Sequence, residues 1–456
     1  MKQTIISILL TLLPMMAGGV TVEINGINYN LITNGNLAEV KSKSSGHYSG
    51  DVVIPSKVTY NDVDYAVTGI AQSAFSYCSN LTSVSLPNSL TSIGASAFID
   101  CTSLKSVIIP ISVTEIGGLA FSGCKGLTSV DLGSGVISIG KSAFNSCSSL
   151  TSITIPGSVT SIGQSAFYGC SKLTSIIIPN SVTFLGKSVF GLCKGLKSVE
   201  LGTGLTAIAE NAFYECSSLI SVIIPNSITS IEFGAFFYCS SLVSINIPNN
   251  ITSIGEHAFS NCKSLSSVEF GNGVISIGKN AFSYCSSLTS IAIPDGVTSI
   301  GSSAYSGCSN LTTVYIPNSM MNIGSDAFFG CTKLENVYCF AEKLSLESLD
   351  GKGLYTNPNA FSYSYPENIL LHVLEPYVEE YGVVEPWKNF KNIVGHVLGD
   401  ANGDKVVNVA DIVEVINYIK NTPSEKFDKY SADVNHDYKV NEEDVLKIAD
   451  IIMEKE

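Results

Sequence analysis

The chain contains no arginine; all 25 of its basic residues are lysine. Bidentate recognition of phosphate and guanine leans on the arginine fork, so nucleic acid is a poor partner. A formal net charge of −14 at pH 7 points the same way, because phosphate backbones attract cationic surfaces. Charge of either sign is scarce, at 14% of residues against roughly 25% in ordinary soluble chains. Serine, threonine and asparagine carry the solvation instead. About half of the net acidity lies at the end, where residues 399–456 hold 14 acidic side chains against 7 lysines. The five histidines (His47, His257, His372, His396 and His436) are scattered. No nucleophile–base pair, phosphate loop or histidine cluster of metal-ligand spacing is present, which argues against an autonomous enzyme.

Long apolar runs are also missing. The first residues join Lys2, an apolar stretch over 5–16 and the small residues Ala17, Gly18 and Gly19. This is the make-up of a secretory signal peptide over 1–19; a buried first strand or helix is the alternative. No later stretch reaches the ~18 consecutive apolar residues of a membrane helix. The mature chain is expected to be secreted or held at the cell surface, with no transmembrane segment.

What is present is one phrase. Twelve cysteines, from Cys78 to Cys331, follow one another at steps of 23 residues without insertion. Three residues before each stands Phe, with Tyr305 the single exception; Leu follows at +3, Val or Ile at +6, and a large apolar residue at +8 until Cys339 takes that place in the last copy. A fixed period of this size predicts a solenoid. In one copy, Leu150, Ile153 and Ile155 match a leucine-rich-repeat core, with Ser152 and Thr154 alternating as on a half-buried strand. Pro156 ends that strand, Val159 and Ile162 supply a return-side contact, and Gly163 is expected to permit the turn to the next coil. One coil cannot bury these residues alone, so neighbours must stack. Twelve rungs at ~4.8 Å predict a stack of about 58 Å.

An even cysteine set in an exported chain suggests disulfides. The core-facing position beside Phe and Leu suggests buried free thiols, and a total of 13 leaves at least one unpaired. A slower rhythm places Asp131, Glu200 and Glu269 on every third coil, facing outward. At roughly 14 Å apart they are too distant for a glycosidase pair, which needs about 5–9.5 Å. They read as solvated or ligand-facing carboxylates. Tyr315 and Tyr338, one period apart, read as a small aromatic patch able to anchor a protein or glycan, or as plain surface decoration.

The repeated phrase, AFxxCxxLxSVxIPxSVTSIG over about 72–340, resembles the BspA-like family of bacterial leucine-rich repeats. The asparagine ladder of the commoner leucine-rich pattern is missing, with Ser158 and its equivalents near that place. The resemblance implies an exported, non-catalytic protein of adhesion type. Residues 20–70 read as the first cap, with a hairpin at Asn25-Gly26. The repeats run over 71–340. A second cap over 341–396 contains Trp387, Phe390 and Ile393 as core.

The last segment, 397–456, is a different module. Asp400, Asn402, Asp404, Asn408 and Asp411 stand at positions 1, 3, 5, 9 and 12 of a twelve-residue loop; Asp433, Asn435, Asp437, Asn441 and Asp444 repeat the pattern. Position 7 adds the carbonyls of Val406 and Lys439. This spacing wraps oxygens around a hard cation, and two Ca²⁺ ions are expected. The pair resembles a type I dockerin over about 398–453. The resemblance implies a cohesin-type protein partner, met through positions 10 and 11, here Val409-Ala410 and Glu442-Glu443. Position 6, usually Gly in that family, is Lys405 and Tyr438. Taken together, the expected fold is a mainly-β leucine-rich-repeat solenoid of twelve coils with two caps, followed by a small helical paired-calcium-loop domain. The expected function is binding of a protein or glycan, with polysaccharide recognition inside a glycan-degrading complex as the alternative.

Overall fold

The computed structural model describes residues 19–345, 353–435 and 439–454. The expected signal peptide thus falls almost wholly outside the described residues, as do Asp437 and Tyr438 of the second loop. The chain divides into two compact units, residues 1–205 with 212–217, and 206–211 with 218–456.

The first unit begins with a three-stranded antiparallel meander, Val20–Ile24, Ile27–Ile32 and Leu37–Lys41. Val20–Ile24 pairs antiparallel with Ile27–Ile32 around Asn25 and Gly26, both at positive φ, as a two-residue turn between twisted strands requires. A further hairpin, Lys57–Tyr60 against Val63–Ile70, follows. Regular coils follow. Each carries a short strand at the +5 to +8 positions, such as Ser129–Asp131, paired in parallel with its neighbours. On the return side, Ile162 belongs to a second ladder of two-residue parallel strands, of which Ser138–Ile139 and Ser161–Ile162 are successive rungs, and Val159 is buried just before it.

The coil interior explains the phrase. Phe75, Phe98, Phe121, Phe144, Phe167, Phe190 and Phe213 stack with ring centroids 4.8–5.7 Å apart, and Tyr48 closes the open end at 4.6 Å from Phe75. All 13 cysteines are buried, and none forms a disulfide. Most of the repeat thiols, Cys101 and Cys331 among them, have a specific partner that size alone does not explain. Cys124 Sγ donates to the Phe98 carbonyl at 3.0 Å, and Cys147 Sγ to the Phe121 carbonyl at 3.1 Å. The same carbonyls accept the backbone N–H of the cysteine in their own turn, at 3.2 Å. The thiol therefore supplies the second hydrogen bond to a carbonyl of the preceding coil, where an alanine would leave it short. Burial raises the Cys147 and Cys193 thiols to about 12.

The serine row does an analogous job on the opposite corner. Ser158 Oγ donates to the Val136 carbonyl, and Ser181 Oγ to the Val159 carbonyl, each at 2.7 Å. These serines form a hydroxyl ladder along that corner. Gly163 has a different role from the expected one. Its φ is not positive; a Cβ there would lie 2.6 Å from Lys141 N and 2.7 Å from Gly140 C. The glycine is required because two coil backbones close on each other, not because the chain turns left-handed.

The second unit continues the pattern. Phe236, Phe259, Phe282, Tyr305 and Phe328 stack at 5.1–5.5 Å, and Phe361 extends the column at 5.1 Å. Trp387 and Phe390, 1% and 2% exposed, close it as the expected cap core; Ile393 is half-buried. The strand face ends in four parallel strands, Ser290–Ala292 apart: Thr313–Ile316, Asn336–Cys339, Leu370–Leu374 and Asn392–His396. The last is followed at once by the acidic module. There, helices Val409–Ile419 and Glu442–Met453 pack around Val407, Val415, Ala432, Val440 and Ile448.

Candidate functional site

The two twelve-residue loops are wired alike. Asp411 Oδ1 accepts from Asn402 N at 3.1 Å and Asp411 Oδ2 from Asn408 N at 2.8 Å. Asp444 does the same with Asn435 N at 3.3 Å and Asn441 N at 2.9 Å. Asn408 and Asn441 in turn cap their helices by accepting from Ala410 N and Glu443 N. Positions 9 and 12 thus form a capping box at each helix start. Asp400 accepts from the amides of Asp404 and Lys405, and Val406 N donates to Asp404.

Asp400 and Asp433 are 4% and 8% exposed, and Asp411 and Asp444 are fully buried. Burial raises the Asp411 carboxyl, backbone amides of Asn408 and Asn402 oppose this, and the charges of Asp400 and Asp404 push it up again. Three mutually repelling carboxylates suit an oxygen-seeking cation. Among the described residues no three His, Cys, Asp or Glu side chains already close on one point. The first-loop oxygens are turned to backbone amides, and the remaining donors are amide oxygens and the Val406 carbonyl, which accepts from Asn408 Nδ2 at 3.0 Å. Bound there, the ion would supply the positive charge that these buried acids lack.

Lys405 takes the left-handed conformation, φ 69°, that Gly usually provides, at a cost of about 1–2 kcal/mol. Two contacts offset it: Lys405 N donates to Asp400 Oδ2 at 2.7 Å, and Lys405 Nζ reaches Glu375 Oε1 of the cap at 3.0 Å.

The strand-face row at +7 gives the expected ligand residues their places. Asp131 and Glu200 stand exposed in the first unit and Glu269 in the second. Tyr315 and Tyr338 stack at 4.8 Å, and His372 continues the stack 4.1 Å beyond Tyr338. The patch is not open to solvent, because Tyr430 lies over it. The Tyr430 ring is 3.7 Å from that of Tyr338 and 5.8 Å from that of Tyr315, and the hydroxyls of Tyr315 and Tyr430 are 3.2 Å apart. Tyr338 is left 3% exposed. An external ligand would have to displace Tyr430 to reach Tyr338, while Tyr315 stays partly exposed.

Beside this stack runs a polar chain. His396 Nδ1 is 2.7 Å from Asp428 Oδ2, His372 Nδ1 is 2.8 Å from His396 Nε2, and His372 Nε2 is 3.2 Å from Asn336 Oδ1. The three contacts make one continuous polar chain from Asp428 through His396 and His372 to Asn336. Burial and the adjoining His396 push His372 down to about 4. For Asp428, burial opposes ionisation, but hydrogen bonding and charge from His396 hold the carboxyl at about 2.

Sequence reasoning missed His372, His396, Asp428, Tyr430 and Glu375. One signal was available. Asn368-Ile369 to Leu374 and Asn392-Ile393 to Leu398 both read N-I-x-x-H-V-L, which marks both histidines as members of paired strands. Val409, at 64% exposure, and Ala410, Glu442 and Glu443 all lie on the module surface.

Residues 68–197, 160–274 and 230–364 match the BspA type leucine rich repeat region, with six copies. Residues 398–452 match the dockerin type I domain. Dockerin type I domains bind calcium, both families are typical of extracellular or surface proteins, and neither brings an enzymatic domain. No helix among the described residues is long and apolar enough to cross a membrane. A leucine-rich repeat protein from Bacteroides ovatus is similar over 78% of this chain and 100% of its own, at 30% identity and TM-score 0.53. A leucine rich cell surface protein from Faecalibacterium prausnitzii is 31% identical, over 70% of this chain and 94% of its own, with TM-score 0.45. No curated protein matches. The chain belongs to the BspA type leucine-rich repeat proteins and ends in a dockerin type I domain.

Proposed function

We propose that this is an exported, non-catalytic binding protein with two working parts. The repeats, bounded near 71 and 340 by the two caps, present a surface to a protein or glycan in adhesion. The module from 397 onward holds two calcium ions through the paired loops and docks a cohesin-type protein through Val409, Ala410, Glu442 and Glu443. The observation that carries this reading is the matched wiring of the two loops, in which Asp411 and Asp444 each tie a loop start to a helix start. Retention of the intact mature protein on a cohesin-type module, with calcium and with chelator, tests it. Calcium-dependent retention supports the reading, and equal or absent retention in both contradicts it.

One observation favours the alternative of polysaccharide recognition. A cleft of about 940 Å³ opens on the strand side, lined by Asn226, Asn246, Glu269, Asn272, Asp295 and Lys439 among others. Amides and carboxylates of this kind hydrogen-bond sugar hydroxyls. Binding of the repeat region to a polysaccharide panel, and to no protein, would select it.

A further inference from the structure

The segment that touches the strand face also joins the two calcium loops. Asp428 caps the helical turn Lys429–Ala432, accepting from Tyr430 N at 3.0 Å and Ser431 N at 3.3 Å with one oxygen. Its other oxygen accepts from Ser431 Oγ and takes His396, each at 2.7 Å. This turn is bonded to the start of the first loop on both sides of Asp400: Gly399 N donates to the Ser431 carbonyl at 2.7 Å, and Asp428 N to the Ala401 carbonyl at 2.8 Å. It runs directly into Asp433, the first residue of the second loop. The first ligand position of each loop is therefore fixed by one short turn, and that turn is held from outside the module.

We propose that the end of the repeat sheet sets the calcium affinity of the module. The bay of Tyr315, Tyr338, His372 and His396 grips Asp428 and Tyr430, and Glu375 grips Lys405 at position 6 of the first loop. These contacts hold the loop starts in place before an ion arrives, so less ordering remains for binding to accomplish. By linkage, calcium must tighten the grip by the same factor that the grip tightens calcium. Tyr338, His372 and Glu375 are thus affinity-determining residues that touch no calcium ligand through their own backbone segment. Position 6 gains a reason as well: a glycine there would give the turn, but Lys405 also gives the tether. The inference rests on the calcium reading of the loops.

Calorimetric titration of the intact chain with calcium chloride tests it, with Tyr338→Ala as the variant. Cooperative melting followed at Trp387 establishes that the variant is folded. The expected result is at least about fivefold weaker calcium binding, the low end of ordinary coupling between sites. If Tyr338→Ala does not fold, Glu375→Gln takes its place, since that side chain is on the surface; about twofold weakening is expected from loss of one exposed ion pair. Unchanged affinity in whichever folded variant is used overturns the proposal while leaving calcium binding intact. Absence of calcium binding to the unaltered chain overturns the calcium reading itself, and the proposal with it.

Discussion

Tyr430 of the calcium module stacks on Tyr338 of the repeat sheet, with ring centroids 3.7 Å apart and planes inclined by 22°. The two residues are 92 positions apart in the chain, so the contact measures tertiary docking and nothing local. A double-mutant cycle of Tyr338→Ala and Tyr430→Ala, read by urea melting, is expected to give a coupling of about 0.5–1.5 kcal/mol. Additive effects would show that the rings do not meet.

Acid should loosen this junction. His372, held near 4 by burial and the adjoining His396, binds no proton in the docked state at pH values where a free imidazole, near 6.5, does. Stability is therefore complete above about 6.5 and declines as pH falls toward 4. Asp428, ionised down to about 2, adds a second loss between about 4, the free carboxyl value, and 2. Near-UV dichroism at pH 7, 5.5 and 4.5 should show the tyrosine signal fading, and a flat profile would contradict a neutral, buried His372.

The thiols should be silent. They are buried and form no disulfide, burial raises those of Cys147, Cys193 and Cys308 to about 12, and the thiolate is the reactive form. Native protein is expected to take up almost no alkylating reagent, and protein unfolded in guanidinium to take up one label per cysteine without prior reduction. A need for reductant would indicate disulfides.

Within the aromatic column, Tyr305 is the exception, fully buried with a hydroxyl that has no hydrogen-bond partner. Tyr305→Phe removes that hydroxyl and is expected to stabilise by about 1 kcal/mol. Phe144→Ala, which opens a gap in the column, should cost about 3–5 kcal/mol. Thermal or urea melting measures both, and a destabilising Tyr305→Phe would reveal a partner for the hydroxyl.

Positions that repeat were legible in the sequence because period and burial are the same fact in a solenoid. Phe144, Cys147, Leu150, Ile153, Ile155, Val159 and Ile162 all lie in the core as their spacing requires. The spacing of the acidic loops likewise marked the module. Reasons were harder to read than places. Gly163 is small because a neighbouring backbone comes close, and Cys147 is a thiol because a carbonyl 26 residues earlier needs a donor; both causes lie in the adjacent coil. Tyr315 and Tyr338 looked like an open patch because nothing local identifies Tyr430 as their cover. That pairing depends on how a non-repeating cap turns the chain back, and no period encodes it.

The docked arrangement is tested most directly by hydrogen exchange of the intact chain, with calcium and with chelator, followed in peptides covering 334–342 and 425–435. Protection is expected in both peptides with calcium and its loss from both together with chelator, because the bay and the loop starts share one turn. Chelator that exposes 425–435 while 334–342 stays protected at its calcium level would contradict it.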